Sequence, residues 1–415
     1  MKCLLQAAIM IGGNDSHRDK TTDNALDPFL LIEGRTLLEH LLWNLRRFGF
    51  QDFLLLTDQT SGPLQEHFGP GSACANQLQA SITIVTTPSP IGSAGAIKTA
   101  GDLLEDQFLF LYSDNIADFN FLDLAHCTHD EESANWLGRI ALTCAPDARH
   151  DGLVTLEGRR ITGLQADAIA GQPCLVNYGV YWLNSQILDS IEGSSSSLEQ
   201  QVFPKLIASD RLIGRRYQGL HLARDKKIAI EAFSNRPGKP AVFLDRDGTL
   251  NQDTGYTSRI EDFHWLDGAK AAIKKLNDAG YLVFLVSNQS GIARGYYDHA
   301  AVDRLHQWMQ DDLAASGAHF DDIRCCQHHP EGIVPELAVS CDCRKPKPGM
   351  LQSLIKQWQP DLDNSFMLGD AERDAQAGKA AGVTGKKISP GSILQEVEAM
   401  IGNRRQTEKH EQTND

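Results

Sequence analysis

Val242-Phe243-Leu244-Asp245-Arg246-Asp247-Gly248-Thr249-Leu250 is a short apolar run that ends on two carboxylates and a glycine. The apolar residues fit a buried strand, and Gly248 supplies the turn that ends it. Side chains alternate along extended backbone, so the pattern predicts Asp245 and Asp247 on one side and Arg246 pointing away. Two carboxylates held together repel unless a cation or a shared proton relieves them. Mg²⁺ suits such a pair, as a hard cation that takes one or two carboxylates with phosphate oxygens. Taken alone, the same residues describe an ordinary strand end with an Asp-Gly turn. Three segments downstream decide against that.

Val283-Phe284-Leu285-Val286-Ser287-Asn288-Gln289 is a second apolar strand, ending in a hydroxyl and two amides. Cys343-Arg344-Lys345-Pro346-Lys347-Pro348 places a cationic cluster before a predicted helix. Phe366-Met367-Leu368-Gly369-Asp370 is a third strand with a carboxylate at its tip, and Asp374 follows. Open α/β sheets bind ligands at the carboxyl ends of their strands, where all these polar groups are presented. In this order the four segments resemble the motifs of the haloacid dehalogenase superfamily, over roughly residues 240–390.

That resemblance implies a phosphatase. Phosphate monoesters hydrolyse extremely slowly unaided, and a carboxylate nucleophile splits the reaction into two easier steps. Asp245 would attack phosphorus, and Asp247 would protonate the leaving alkoxide and then deprotonate water. Ser287 and Lys345 would hold the phosphoryl oxygens, since positioning and electrostatics dominate this chemistry. Asp370 would complete a Mg²⁺ site with Asp245 and the backbone carbonyl of Asp247. Asp374 either orients metal-bound water or caps the following helix.

Cys326-Gln327-His328 is followed, after twelve intervening residues, by Cys341-Asp342-Cys343. Three thiols and an imidazole make a closed tetrahedral Zn²⁺ set of the structural kind. Cys325 and His329 flank it as alternative ligands and read as bystanders. A loop with reduced, buried thiols is the plainer reading. Zinc is favoured because Cys343 leads directly into Arg344-Lys345, where a clamp would aim the catalytic cation.

The combination resembles the D-glycero-D-manno-heptose-1,7-bisphosphate 7-phosphatase family. It is carried by Asp245 to Asn251, by Asp253-Thr254-Gly255-Tyr256, by Ser287-Asn288-Gln289-Ser290-Gly291-Ile292-Ala293-Arg294-Gly295, and by Cys341 to Pro346. The likeness places substrate contacts on Asn251, Asp253, Gly255, Tyr256, Asn288, Gln289, Ser290 and Arg344. Histidinol-phosphate phosphatases share the zinc loop and the first motif, but the run Gln289 to Tyr297 is similar to the heptose branch. One departure is Ala371, which stands where that family often has Lys.

A chain of 415 residues predicts two domains. We expect an α/β protein in which each domain is a mainly parallel sheet flanked by helices. The boundaries read as residues 1–223, a linker at 224–239, a phosphatase domain at 240–400 and a disordered tail at 401–415. The net charge of −15, with no basic run, argues against nucleic acid and anionic membranes as partners. The start Met1 to Ile11 reads as a first strand running into Gly12-Gly13, not as a secretory leader. Nine cysteines, an odd number, fit reduced thiols and a metal site, so the cytoplasm is the expected compartment.

Residues 1–223 alternate strand-like and helical runs. Leu37, Leu38, Leu41, Leu42 and Leu45 repeat at helical spacing before the strand Phe53 to Thr57, and Phe108 to Tyr112 runs into Ser113-Asp114. With Gly34, Gly92-Ser93-Ala94-Gly95-Ala96 and Val176-Asn177-Tyr178-Gly179, this order resembles sugar-phosphate nucleotidyltransferases. The active-site cations of that family are missing. The loop Ile11-Gly12-Gly13-Asn14 lacks Arg or Lys, and the Lys expected between two prolines falls at Asp27. An anion beside a triphosphate repels it by roughly several kcal/mol at intermediate dielectric. The second metal-binding Asp falls near Ala223, leaving Asp114 alone, with Arg18 or Lys20 as the remaining cations in reach. The domain is therefore expected to keep the fold without the catalysis. Its expected roles are structure, binding of a phosphorylated sugar, self-association, or docking of a sugar-nucleotide pathway enzyme. The competing expectation is a bifunctional enzyme that dephosphorylates the sugar and then transfers a nucleotide to it.

Overall fold

The computed structural model describes residues 5–12, 27–57, 62–87, 92–114, 116–126, 135–145, 153–165, 174–193, 196–217, 220–221 and 238–412. The chain divides into two compact units, Met1–Asn235 and Arg236–Asp415.

The first unit is built on one nine-stranded mixed sheet. Its parallel half runs in the order Ser81–Thr86, Phe50–Thr57, Leu5–Ile11, Gln107–Tyr112. Cys174–Asn184 then joins antiparallel to Gln107–Tyr112, followed by Gly138–Ala145, Leu212–Arg216, Arg160–Gln165 and Leu153–Glu157. The parallel half is the one the β-α-β alternation predicts. In the far half Cys174–Asn184 runs antiparallel to its neighbours, Leu212–Arg216 runs parallel to Gly138–Ala145, and Leu153–Glu157 and Arg160–Gln165 form an antiparallel hairpin. The helix Leu37–Arg47 buries all five leucines of its stripe. Its start is a capping box: the Glu39 amide donates to Thr36 Oγ1 at 3.1 Å, and the Thr36 amide to Glu39 Oε2 at 2.6 Å.

The second unit is a five-stranded, all-parallel sheet. Its order is Asp322–Cys326, Leu282–Asn288, Pro240–Leu244, Asp361–Gly369, Thr384–Lys387. The central strand, Pro240–Leu244, is buried at every position because helices cover both faces. Val242 and Leu244 pack with Ile273, Leu276, Leu305 and Val397 on one face. Ala241 and Phe243 pack with Leu351, Leu354 and Ala377 on the other. This alternation fixes the register and delivers Asp245 to the carboxyl edge of the sheet.

Of the tail expected to be disordered at 401–415, residues 401–412 lie in the helix Ile393–Gln412, and residues 413–415 lie outside the described residues. Arg, Gln, Glu and Lys dominate this stretch and are good helix formers, so it continues the helix that Val397 anchors in the core. Of the linker expected at 224–239, residues 224–237 lie outside the described residues. Among the described residues, no helix is long and apolar enough to cross a membrane.

Candidate active site

The carboxyl edge of the parallel sheet collects the predicted groups. Lys345 Nζ donates to Asp245 Oδ1 at 2.6 Å and to the Val286 carbonyl at 2.8 Å. It also lies 2.7 Å from Asp374 Oδ1, and the Lys345 and Asp374 side chains have no exposed surface. A buried ammonium needs such partners, since its isolated desolvation cost is large. Burial pushes the Asp245 carboxyl up to about 6 despite the nearby Lys345 ammonium, with the Asp374 carboxylate adding to the rise. Asp374 does two jobs. Its other oxygen accepts from the Ala371 amide at 3.1 Å and so caps the helix Glu372–Ala380.

Oxygens of Asp245, Asp370 and Asp374 lie within 4.8 Å of one another. Asp370 Oδ1 is buried with no hydrogen-bond partner, and burial followed by the Asp374 carboxylate raises the Asp370 pKa. A crowded set of hard oxygens with one of them left unpartnered fits a divalent cation such as Mg²⁺. Gly248 makes the approach possible. Its φ is +83°, and a Cβ there would lie 2.4 Å from Asp370 Oδ2.

Asp247 sits in a separate network. The chain bends after Asp245, so Arg246 does not point away from Asp247 as strict alternation predicts. Its guanidinium folds back, with Nε donating to Asp247 Oδ1 at 3.0 Å and Nη2 to Oδ2 at 2.9 Å. Asn251 Nδ2 donates to Oδ1 at 3.1 Å and Gln289 Nε2 to Oδ2 at 2.8 Å. The same Gln289 nitrogen lies 2.7 Å from Ser287 Oγ, and Gln289 Oε1 accepts from Tyr297 OH at 3.0 Å. Gly291 leaves room for that tyrosine, because a Cβ there would lie 2.3 Å from the Tyr297 ring.

The residues expected to touch substrate divide into two sets. Asn251 and Gln289 are buried and spend their amides on Asp247. Asn288 pins the cation: its Nδ2 donates to the Lys345 carbonyl, and its Oδ1 accepts from the Lys345 amide, both at 3.1 Å. Asp253, Gly255 and Tyr256 form the neighbouring turn, where the Gly255 amide donates to Asp253 Oδ1 at 2.9 Å. Tyr256 is exposed and meets the Tyr296 ring edge to face at 4.7 Å. Ser290 is half-buried, and Arg344 donates to the His328 carbonyl at 3.4 Å.

Cys326, His328, Cys341 and Cys343 converge as the sequence spacing predicts. Cys343 Sγ lies 3.3 Å from each of Cys326 Sγ, Cys341 Sγ and His328 Nδ1. Three thiols and an imidazole nitrogen gathered this closely are a donor set that fits a structural Zn²⁺. His329 is turned away, its ring 3.2 Å from Arg294 Nη2. Cys325 stands outside the four, since successive strand residues face opposite sides.

Sequence reasoning missed the return of Arg246 onto Asp247, the Tyr297 bond to Gln289, and the buried His306 beside Arg246. The one signal was a charged residue in a stretch that is otherwise buried. In the first unit it missed Glu199, whose Oε1 accepts from Tyr112 OH at 2.8 Å and Tyr181 OH at 2.7 Å. Ser93, from the Gly92-to-Ala96 motif, donates to Glu199 Oε2 at 3.2 Å and accepts from the Leu198 amide at 2.9 Å. Asp27 forms a turn, its Oδ1 accepting from the Phe29 amide at 2.9 Å. Asp114 follows the strand Gln107–Tyr112. Gly13, Asn14, Arg18, Lys20 and Ala223 lie outside the described residues.

Two known protein families match the chain, one over each unit. The nucleotidyl transferase family matches residues 6–219, and the haloacid dehalogenase-like hydrolases match residues 255–382. D-glycero-beta-D-manno-heptose-1,7-bisphosphate 7-phosphatase of Rhodopseudomonas palustris is 47% identical over 152 residues, 37% of this chain and 84% of its own. The D-glycero-alpha-D-manno-heptose-1,7-bisphosphate 7-phosphatase of Photorhabdus laumondii is 43% identical over 142 residues, 34% of this chain and 78% of its own. The crystal structure of D,D-heptose 1,7-bisphosphate phosphatase from B. bronchiseptica, complexed with magnesium and phosphate, is 33% identical with a TM-score of 0.34. The match covers 39% of this chain and 86% of that one.

Proposed function

The chain belongs to the D-glycero-D-manno-heptose-1,7-bisphosphate 7-phosphatase family through its second half and to the nucleotidyl transferase family through its first, and we propose that this phosphatase removes the 7-phosphate of a D-glycero-D-manno-heptose 1,7-bisphosphate. The observation that carries the reading is the buried ammonium of Lys345 on Asp245 Oδ1, at the carboxyl end of the central strand.

Asp245 is the nucleophile. Its carboxylate attacks phosphorus, and the bond to the sugar oxygen breaks to leave an aspartyl-phosphate. Asp247 gives that oxygen its proton, then takes one from the water that hydrolyses the aspartyl-phosphate. Lys345 and Ser287 hold phosphoryl oxygens, with Asn288 fixing the backbone of Lys345. Asp245, Asp370 and the Asp247 carbonyl hold Mg²⁺, which when bound neutralises phosphoryl charge. Asn251, Gln289 and Asn288 act on substrate through the groups they orient, whereas Asp253, Gly255, Tyr256, Ser290 and Arg344 meet the sugar phosphate. Cys326, His328, Cys341 and Cys343 hold a structural Zn²⁺ that sets the loop leading into Arg344 and Lys345.

The first unit keeps the nucleotidyl transferase fold without the transfer. Asp27 supports this reading, because its carboxylate caps its own turn where a triphosphate site requires positive charge. Phosphate release from heptose 1,7-bisphosphate, fructose 1,6-bisphosphate and histidinol phosphate tests the proposal. The heptose should give the highest kcat/KM by at least tenfold, and preference for either competitor would overturn the substrate assignment.

A further inference from the structure

Arg246 heads the fully buried side chains by size among the described residues. A guanidinium without exposed surface is costly to bury, so its placement must be matched by strong partners. Its fork engages both Asp247 oxygens, at 3.0 and 2.9 Å. Bidentate pairing fixes the rotation of a carboxylate about its last bond, a torsion that is otherwise broad. Nη2 also donates to the Thr257 carbonyl at 2.6 Å, next to the turn of Asp253, Gly255 and Tyr256. Each Asp247 oxygen therefore receives one charged donor from Arg246 and one neutral amide, from Asn251 or Gln289.

We propose that Arg246 is a positioning residue that locks Asp247 in its proton-transferring rotamer. This inference rests on the proton-carrying role of Asp247 proposed above. Lys cannot replace Arg here, because a point charge does not reproduce the fork.

The test uses the full chain with Mg²⁺, as wild type, Arg246→Lys, Arg246→Gln and Asp247→Asn. With the sugar bisphosphate, both Arg246 variants should lose about 30- to 1,000-fold in kcat, part of what general acid–base catalysis supplies. KM should change by less than about threefold. With 4-nitrophenyl phosphate, whose leaving group needs no proton at neutral pH, they should release a burst of about one nitrophenolate per chain and then turn over slowly. Arg246→Gln buries no charge, so it carries the test if Arg246→Lys does not fold. Turnover of the sugar bisphosphate within threefold of wild type in a folded variant would overturn the proposal. So would loss of the burst in step with loss of sugar-phosphate turnover. Asp247→Asn separates the two claims. If it retains sugar-phosphate turnover within tenfold, the proton role of Asp247 fails, and if it alone is inactive, only the Arg246 claim fails.

Discussion

Lys345 Nζ and Asp245 Oδ1, one hundred residues apart in sequence, meet at 2.6 Å with neither side chain more than 5% exposed. The strand Pro240–Leu244 brings the carboxylate, and the segment between the cysteine pair and the helix Gly349–Trp358 brings the cation. A cation held there can neutralise the nucleophile at rest and the phosphoryl oxygens during transfer.

Gly248→Ala should disable the metal site more than it destabilises the fold. The positive φ costs about 1–2 kcal/mol for a residue with a Cβ. The added methyl would lie 2.4 Å from Asp370 Oδ2 and push that carboxylate out of place. A Mg²⁺ titration of activity should show at least a tenfold weaker requirement constant, and an unchanged one would contradict the placement of Asp370.

Acid should weaken the fold through His306. Burial, with the Arg246 guanidinium second, lowers its pKa from 6.5 to about 3. The folded state thus keeps His306 neutral, while the unfolded state takes up a proton below pH 6.5. The stabilisation is fully present above that pH and is lost progressively as pH falls toward 3. Between pH 7.5 and 5 the loss from this residue is about 2 kcal/mol. Urea denaturation of His306→Asn at both pH values should show a smaller difference than wild type by about that amount, and equal differences would refute it.

Zinc should copurify at about one per chain. Cys341→Ser should lower the zinc content and the melting temperature together, because metal-binding energy is partly folding energy. A loss of 2 kcal/mol corresponds to roughly 4–8 °C for a unit of this size. Metal analysis of freshly reduced protein that finds no zinc would remove the assignment.

The full chain should release no pyrophosphate from ATP, GTP or CTP with a sugar 1-phosphate. Deleting residues 1–223 should leave phosphatase chemistry in residues 238–415, where every assigned residue lies. Nucleotidyl transfer that disappears in Asp114→Ala would establish the bifunctional alternative instead.

The apolar strands and the polar residues at their tips were legible because their signals are local. Asp245, Lys345, Asp370 and Asp374 each follow or begin a recognisable element. The cysteine and histidine spacing likewise marked four residues that the fold brings together. The orientation of Arg246 was not legible, since alternation holds only while backbone stays extended and the chain bends at that residue. Asn288 and Gln289 read as substrate contacts, yet their amides are used on Lys345 and Asp247, partners that only the folded sheet supplies. The helix through 401–412 was hidden by polarity, which marks an exposed helix and a disordered tail alike.

Mapping the covalent intermediate tests the central claim most directly. The full chain, acid-quenched during turnover of heptose 1,7-bisphosphate with Mg²⁺, should carry one phosphoryl group on the peptide containing Asp245. Asp245→Asn should carry none and lose on the order of 10⁴-fold or more in phosphate release. Phosphate release by Asp245→Asn within tenfold of wild type, or a phosphoryl group mapped to another residue, would contradict the account.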